Sequence, residues 1–211
     1  MMLTLDKIYH AAHVLKTVAR KTDLIAAPSL NLESDIYLKT ENLQVTGSFK
    51  VRGAYYQISQ LTAEEKAKGV IASSAGNHAQ GVALAAQHSN IPSVICMPDG
   101  APISKVEATK AYGAQVCLVK GAYDDAYEYA CKLQKEKGYT FIHPFNDAQV
   151  IAGQGTIGLE IWISCPMWRP CWSPWAAAGL SAASRMPSSS CSRSARCTAY
   201  RRRARPACGI P

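Results

Sequence analysis

The sequence predicts an α/β fold organised on a parallel sheet, and three observations carry the prediction. Strand-like runs of four or five residues alternate with helix-like runs of ten or more. Turn-forming Gly, Pro, Asp and Ser fall between them, as at Pro98-Asp99-Gly100 and Thr46-Gly47-Ser48. The alternation holds over residues 1–161 and stops there. Short strands separated by long helices imply parallel βαβ units with helices on the sheet faces.

Each element has its own reason. Leu5–Leu15 carries apolar residues at helical spacing. Asp35–Lys39 reads as a short strand and Ser48–Leu61 as a helix. Thr62-Ala63-Glu64-Glu65 is a capping box that opens the next helix. Val70–Ala72 is a buried strand, and Asn77–His88 an Ala-rich helix. Ser93–Met97 is a strand, Ser104–Tyr112 a helix and Gln115–Val119 a strand. Tyr123–Lys137 completes the helices and Thr140–Ile142 the strands. No internal repeat is present.

Composition separates two regions. The 211 residues suffice for one domain or one and a half, and 48% of them are hydrophobic. The net charge of +8 invites a nucleic-acid reading, but its location argues against one. Residues 1–161 hold 15 basic and 15 acidic residues, whereas residues 162–211 hold eight Arg, no Lys and no acid. All four Trp and five of the eight Cys also lie in 162–211. That segment, rich in Arg, Ser, Pro and Trp, is predicted to be disordered. Cys96, Cys117 and Cys131 are widely spaced and read as buried free thiols of a reducing compartment. No run of about 20 apolar residues could span a membrane, and the N-terminus has no export segment. A cytoplasmic enzyme without membrane or nucleic-acid partners is expected.

Two motifs carry chemistry. Thr46-Gly47-Ser48-Phe49-Lys50-Val51-Arg52-Gly53-Ala54 delivers a lysine into the first turn of an apolar helix. A desolvated lysine there has a lowered pKa and a nucleophilic amine. By spacing alone a surface lysine at a helix start is the favoured reading. Ser73-Ser74-Ala75-Gly76-Asn77-His78-Ala79-Gln80-Gly81 takes a strand through small residues into a helix, whose exposed N–H groups suit a carboxylate. It also fits an ordinary strand–turn–helix.

Together these motifs resemble the fold-type II pyridoxal-phosphate enzymes, and within them the threonine/serine ammonia-lyases and serine racemases. The resemblance runs from about Leu5 to Ile161. It includes Glu41-Asn42-Leu43-Gln44, Met97-Pro98, Lys105-Val106-Glu107-Ala108 and His143-Pro144-Phe145-Asn146-Asp147. It implies a tryptophan-synthase-β-like two-domain fold with parallel sheets, a smaller domain at about 42–145 and a truncated larger one. It implies pyridoxal 5'-phosphate as cofactor, bound covalently by Lys50, which would then remove the substrate α-proton. Phe49 would contact the cofactor ring, and Asn77 its phenolic oxygen. Ser74, Asn77 and His78 would hold the carboxylate of a small amino-acid substrate. Elimination from threonine gives 2-oxobutanoate and ammonia, which suits amino-acid metabolism, isoleucine biosynthesis included. Relatives of this kind are homo-oligomeric. Racemases place a Ser directly before the Gly-Asn-His; Ala75 stands there and cannot carry a proton, which favours elimination over racemisation. A serine racemase-like enzyme, or a non-catalytic protein whose Arg201-Arg202-Arg203-Ala204-Arg205 tail contacts nucleic acid, are the alternatives.

Two further features are expected to be structural. Gly153-Gln154-Gly155-Thr156-Ile157-Gly158 matches GxGxxG but lacks the strand before it and the acid after it, and reads as a Gly-rich turn into a helix. His10, His13 and His88 have no partner at metal-ligand spacing. The tail also lacks the Gly-rich phosphate loop that the resemblance implies after Ile161. Back-translated and read one base earlier, residues 173–187 give Val-Pro-Val-Gly-Gly-Gly-Gly-Leu-Ile-Ser-Gly-Val-Ala-Tyr-Ala, a strand end, a tetraglycine loop and an apolar helix. Degenerate codons leave this reading some freedom, but the single codons of Trp and Met fix several of its letters. A frameshift near Ile161 is the expectation. It leaves the cofactor phosphate without a cradle and this polypeptide nearly inactive.

Overall fold

The computed structural model describes residues 3–30 and 36–164, and the backbone of 172–174 and 198–200. At its centre lies a four-stranded, wholly parallel sheet with strands β3 (Val70–Ser73), β4 (Ser93–Pro98), β5 (Gln115–Val119) and β6 (Thr140–Phe141). Their order is β5-β4-β3-β6, with Ile71 opposite Val94 and Cys96 opposite Cys117. The parallel βαβ arrangement expected from the alternation is present.

Alternate residues of β3 serve opposite faces. Val70 and Ala72 join a core with α4 (Asn77–His88) and with Ala54 and Ile58 of α2 (Lys50–Ser59). Ile71 points the other way, into a core with Ala126 and Ala130 of α6 (Tyr123–Lys137). Both faces are covered, so the strands read as continuous apolar runs. The helix boundaries at Asn77–His88 and Tyr123–Lys137 are those the sequence predicts. The helix α3 (Ala63–Lys68) opens on the predicted box: Thr62 Oγ1 accepts from Glu65 N at 3.2 Å, and Thr62 N donates to Glu65 Oε2 at 2.8 Å. A helix α5 (Ile103–Ala111) lies along α4.

Three expectations need correction. Residues 46–49 form a turn, so α2 begins at Lys50 rather than Ser48. A strand not expected, β1 (Leu24–Ala26), pairs antiparallel with β2 (Tyr37–Lys39), while position 35 lies outside the described residues. The Gly153–Gly158 run is not a turn; it sits inside a 17-residue helix, α7 (Ala148–Ser164), which continues past Ile161. In the tail, the backbones of β7 (Trp172–Pro174) and β8 (Thr198–Tyr200) pair in parallel. Apart from residues 162–164 of α7, the rest of the tail, where disorder is expected, lies outside the described residues.

Glycines in α7 let it approach α2 backbone to backbone. A Cβ on Gly153 would fall 2.5 Å from the Arg52 carbonyl oxygen and 2.7 Å from the Gly53 Cα. A Cβ on Gly53 would meet Val150 at 2.9 Å. These are distances that only glycine tolerates, so close packing accounts for a motif that otherwise suggests nucleotide binding. The other side of α7 rests on α1 (Leu5–Val14), where Ala11, Tyr56 and Ala152 pack together.

A buried ionic cluster joins the same elements. Arg52, 1% exposed, donates Nε and Nη2 to Glu41 at 2.9 Å each, and Nη1 and Nη2 to Glu160 at 2.7 and 3.1 Å. Thr156 Oγ1 and the Arg20 carbonyl accept two more bonds, at 3.1 and 3.0 Å. Glu41 also accepts from Thr22 Oγ1 at 2.6 Å, and Glu160 from Lys39 Nζ. Burial would lower the Arg52 pKa, but the two carboxylates more than offset it and raise it. Two cations and two anions leave the cluster neutral.

Two histidines meet tyrosines, and of the three thiols expected to be buried only Cys96 is, while Cys117 and Cys131 are half-buried. His10 Nδ1 meets Tyr56 Oη at 2.9 Å, and His88 Nδ1 meets Tyr55 Oη at 3.3 Å. Among the described residues no group of His, Cys, Asp and Glu could hold a metal ion, and no helix is long and apolar enough to cross a membrane. Cys96, Cys117 and Cys131 are free thiols; burial pushes Cys96 up to about 12.

Candidate active site

Lys50 owes its place to the four residues before it. Gly47 turns the chain at φ +67°, a left-handed value open to glycine, and its N–H donates to the Gln44 carbonyl at 2.7 Å. Thr46 Oγ1 donates to the Ser48 carbonyl at 3.3 Å. Ser48 Oγ accepts from the Lys50 N–H at 3.3 Å, serving one of the donors that a helix start leaves unpaired. From the far side α4 presses close: a Cβ on Gly81 would lie 3.0 Å from the Lys50 carbonyl carbon. The backbone of Lys50 is therefore held between a tight turn and a glycine of the neighbouring helix.

The Lys50 side chain is withdrawn from water without a counter-ion. Its Nζ donates to the Pro144 carbonyl at 2.9 Å and lies 5.3 Å from the Phe49 ring centroid. Among the described residues no carboxylate pairs with it. Burial lowers its pKa, because taking an ammonium out of water disfavours the charged form. The half-buried Phe49 ring packs against the cluster of Ile157 and Ile161 of α7, as does Leu24 of β1.

The second motif forms the turn between β3 and α4. Ser74 N donates to the Cys96 carbonyl at 3.1 Å, and Ser74 Oγ accepts from the Gly76 N–H at 3.2 Å. The Ser74 hydroxyl proton remains available to a ligand. A Cβ on Gly76 would meet nothing within 4 Å, so the turn opens onto free space. Asn77 is exposed at the first position of α4, and its Oδ1 accepts from Lys105 Nζ at 2.7 Å. His78 is buried, and its Nε2–H donates to the Ile142 carbonyl at 3.0 Å. Burial first, then the nearby charges of Lys50 and His143, hold its pKa down at about 4. The imidazole is neutral and committed to Ile142; what His78 presents at the helix start is its backbone N–H.

The structure thus brings Lys50, His78 and the His143–Pro144 segment together, with Ser74, Gly76 and Asn77 at the adjoining helix start. Phe49 lies beside Lys50 and packs against Ile157 and Ile161 of α7. Sequence reasoning missed Pro144, Gly81 and Lys105 as neighbours. The Lys105-Val106-Glu107-Ala108 quartet flags the last of these, but nothing local says what it touches.

Comparison with known proteins bears on this arrangement. A family described as pyridoxal-phosphate dependent enzymes matches residues 15–183. The chain is 54% identical over 167 residues to the L-threonine ammonia-lyase of Thermotoga maritima, covering 78% of this chain and 42% of that one. It superposes on maize serine racemase with a TM-score of 0.89 at 32% identity, covering 94% of this chain and 61% of that one. Threonine deaminase isoform 2 of Solanum lycopersicum gives 0.85 at 35% identity, covering 93% and 56%. The chain spans less than half the length of the curated relatives it matches.

Proposed function

The chain belongs to the pyridoxal-phosphate dependent enzymes, and from that premise we propose that it is the amino-terminal portion of a threonine ammonia-lyase acting on L-threonine and L-serine. One observation carries the reading: Lys50 offers a desolvated amine, bonded to a carbonyl and not to a carboxylate. Such an amine reaches its neutral, nucleophilic form more easily than an exposed lysine.

The residues present fit the reactive end of the cofactor. Lys50 would hold its aldehyde carbon, Phe49 its ring and Asn77 its phenolic oxygen, beside the open turn at Gly76. The phosphate end finds no match among the described residues, and the glycines after Ile161 are only Gly179 and Gly209. When bound, the cofactor supplies an electron sink for the pair released at the substrate α-carbon. Lys50 takes the α-proton. The Ser74 hydroxyl and the N–H groups of Asn77 and His78 hold the carboxylate at the positive end of α4. Ala75 has no proton to deliver from the opposite face, which supports elimination and not racemisation. The products are 2-oxobutanoate or pyruvate, and ammonia, in a cytoplasmic amino-acid pathway that isoleucine biosynthesis would suit. Residues 42–145 form the smaller lobe of a homo-oligomeric enzyme, and 162–211 are the product of a shifted frame.

The test is covalent trapping. The full chain, incubated with pyridoxal 5'-phosphate and reduced with borohydride, is expected to carry the label at Lys50, with Lys50→Ala unlabelled. Label spread over other lysines and absent from Lys50 overturns the reading. Formation of 2-oxo acid from L-threonine at the rate of full-length relatives overturns the shifted-frame assignment alone. So does coding DNA whose alternative frame is broken by stops.

A further inference from the structure

Lys105 stands on α5 and reaches across to the first turn of α4. Its Nζ lies 2.7 Å from Asn77 Oδ1 and 3.4 Å from Gln80 Oε1. An ammonium has three donors and no acceptor, so only amide oxygens can face it. The orientation of an Asn amide is ordinarily a two-fold choice; here the chemistry of its partner settles it. With Oδ1 turned to Lys105, the Asn77 –NH2 is the end left for a ligand.

The surroundings reinforce this geometry. Asn77 is the first residue of α4, where the unpaired N–H groups already concentrate positive charge. A cation at that place is electrostatically unfavourable and is held there by the two amide oxygens. The carboxylate nearest in sequence, Glu107, pairs with Lys110 at 3.0 Å instead. Among the described residues Lys105 has no carboxylate partner. The mouth beside Gly76 therefore presents an amide donor backed by an uncompensated cation, a combination suited to an anionic oxygen.

We propose that Lys105 is a positioning residue: it locks the Asn77 amide so that Nδ2 donates to the ligand's oxygen at the α4 start. The inference rests on the reading of Asn77 as the contact of the cofactor's phenolic oxygen. Lys105 itself touches no reacting atom.

The pair is tested first without ligand. In the full chain, the side-chain amide resonances of Asn77 are identified by their loss in Asn77→Ala. They are expected to shift in Lys105→Met and to stay close to the parent's in Lys105→Arg, with the circular dichroism of all variants unchanged. The second arm is borohydride trapping of pyridoxal 5'-phosphate at Lys50. Lys105→Met and Asn77→Ala are each expected to cut labelling roughly five-fold, the factor of one ordinary hydrogen bond. The double variant should fall no further, and Lys105→Arg should restore most of the loss. An Asn77 amide unmoved by Lys105→Met overturns the proposal. So does a Lys105→Met chain that labels like the parent while Asn77→Ala does not. If Asn77→Ala itself labels like the parent, the reading of Asn77 as a cofactor contact fails and the positioning role falls with it. The amide resonances then still report whether Lys105 sets the side chain.

Discussion

Lys50 and Arg52 stand two residues apart at the head of α2. Both are cations withdrawn from water, and the chain treats them in opposite ways. Arg52 is ringed by Glu41, Glu160, Thr156 and the Arg20 carbonyl. Lys50 has one carbonyl and the face of an aromatic ring. The difference teaches how one helical turn can be both anchor and tool. A buried charge that is fully paired fixes the elements that pair it, whereas a half-buried one without a counter-ion gives up its proton more easily.

The comparison can be broken most forcefully at Arg52. Arg52→Met strands Glu41 and Glu160 with no guanidinium and is expected to cost about 3–5 kcal/mol in urea unfolding. Arg52→Lys, which keeps the charge and loses the fork, should fall between. A loss under about 1 kcal/mol for Arg52→Met would mean that the cluster is not an anchor.

His78 gives the next effect, read by pH. Its folded pKa of about 4 lies below the ordinary 6.5, so between those values the unfolded chain binds more protons. Its contribution is present in full above pH 6.5 and is lost as pH falls toward 4. The total is on the order of 3 kcal/mol. His78→Asn should flatten the slope of stability against pH in that window; an unchanged slope assigns acid lability to other groups.

Gly153→Ala is expected to lower stability by about 1–3 kcal/mol, since its methyl would collide with the α2 backbone. The better helix propensity of Ala, worth about 1 kcal/mol, acts in the opposite direction. A more stable variant would show that sterics do not decide this contact.

The smallest effect should carry the opposite sign. Lys50→Met removes an unpaired cation from the same turn and is expected to leave stability unchanged or raise it by up to about 1 kcal/mol, while abolishing labelling. A clear loss of stability would erase the contrast with Arg52.

What the sequence discloses and what it conceals follow one division. Helices Asn77–His88 and Tyr123–Lys137 and strand Gln115–Val119 are legible to the residue, because local periodicity and turn residues set them. The Thr62 box is equally local. The helix Ala148–Ser164 is concealed because three glycines weaken its intrinsic propensity; packing on α1 and α2 outweighs that, and only the fold reveals it. The strand Leu24–Ala26 is half exposed and three residues long, and depends on its partner Tyr37–Lys39. At the candidate site, Lys50, Ser74, Asn77 and His78 stand out by motif. Lys105 and Pro144 lie in motifs too, but what they touch is hidden, because they reach Asn77 and Lys50 across 28 and 94 positions of chain. The buried imidazole of His78 could not be foreseen either, since its acceptor, Ile142, lies 64 residues away.

The Gly53–Gly153 contact also imposes an order of events on synthesis. The two glycines are separated by about 100 residues, which a ribosome adds in roughly 5–20 s. Throughout that interval the nascent helix bearing Lys50 has Glu41 for its arginine but neither Glu160 nor the groove of α7. The helix that carries the nucleophile is thus among the first parts made, and its contact with α7 is among the last to form.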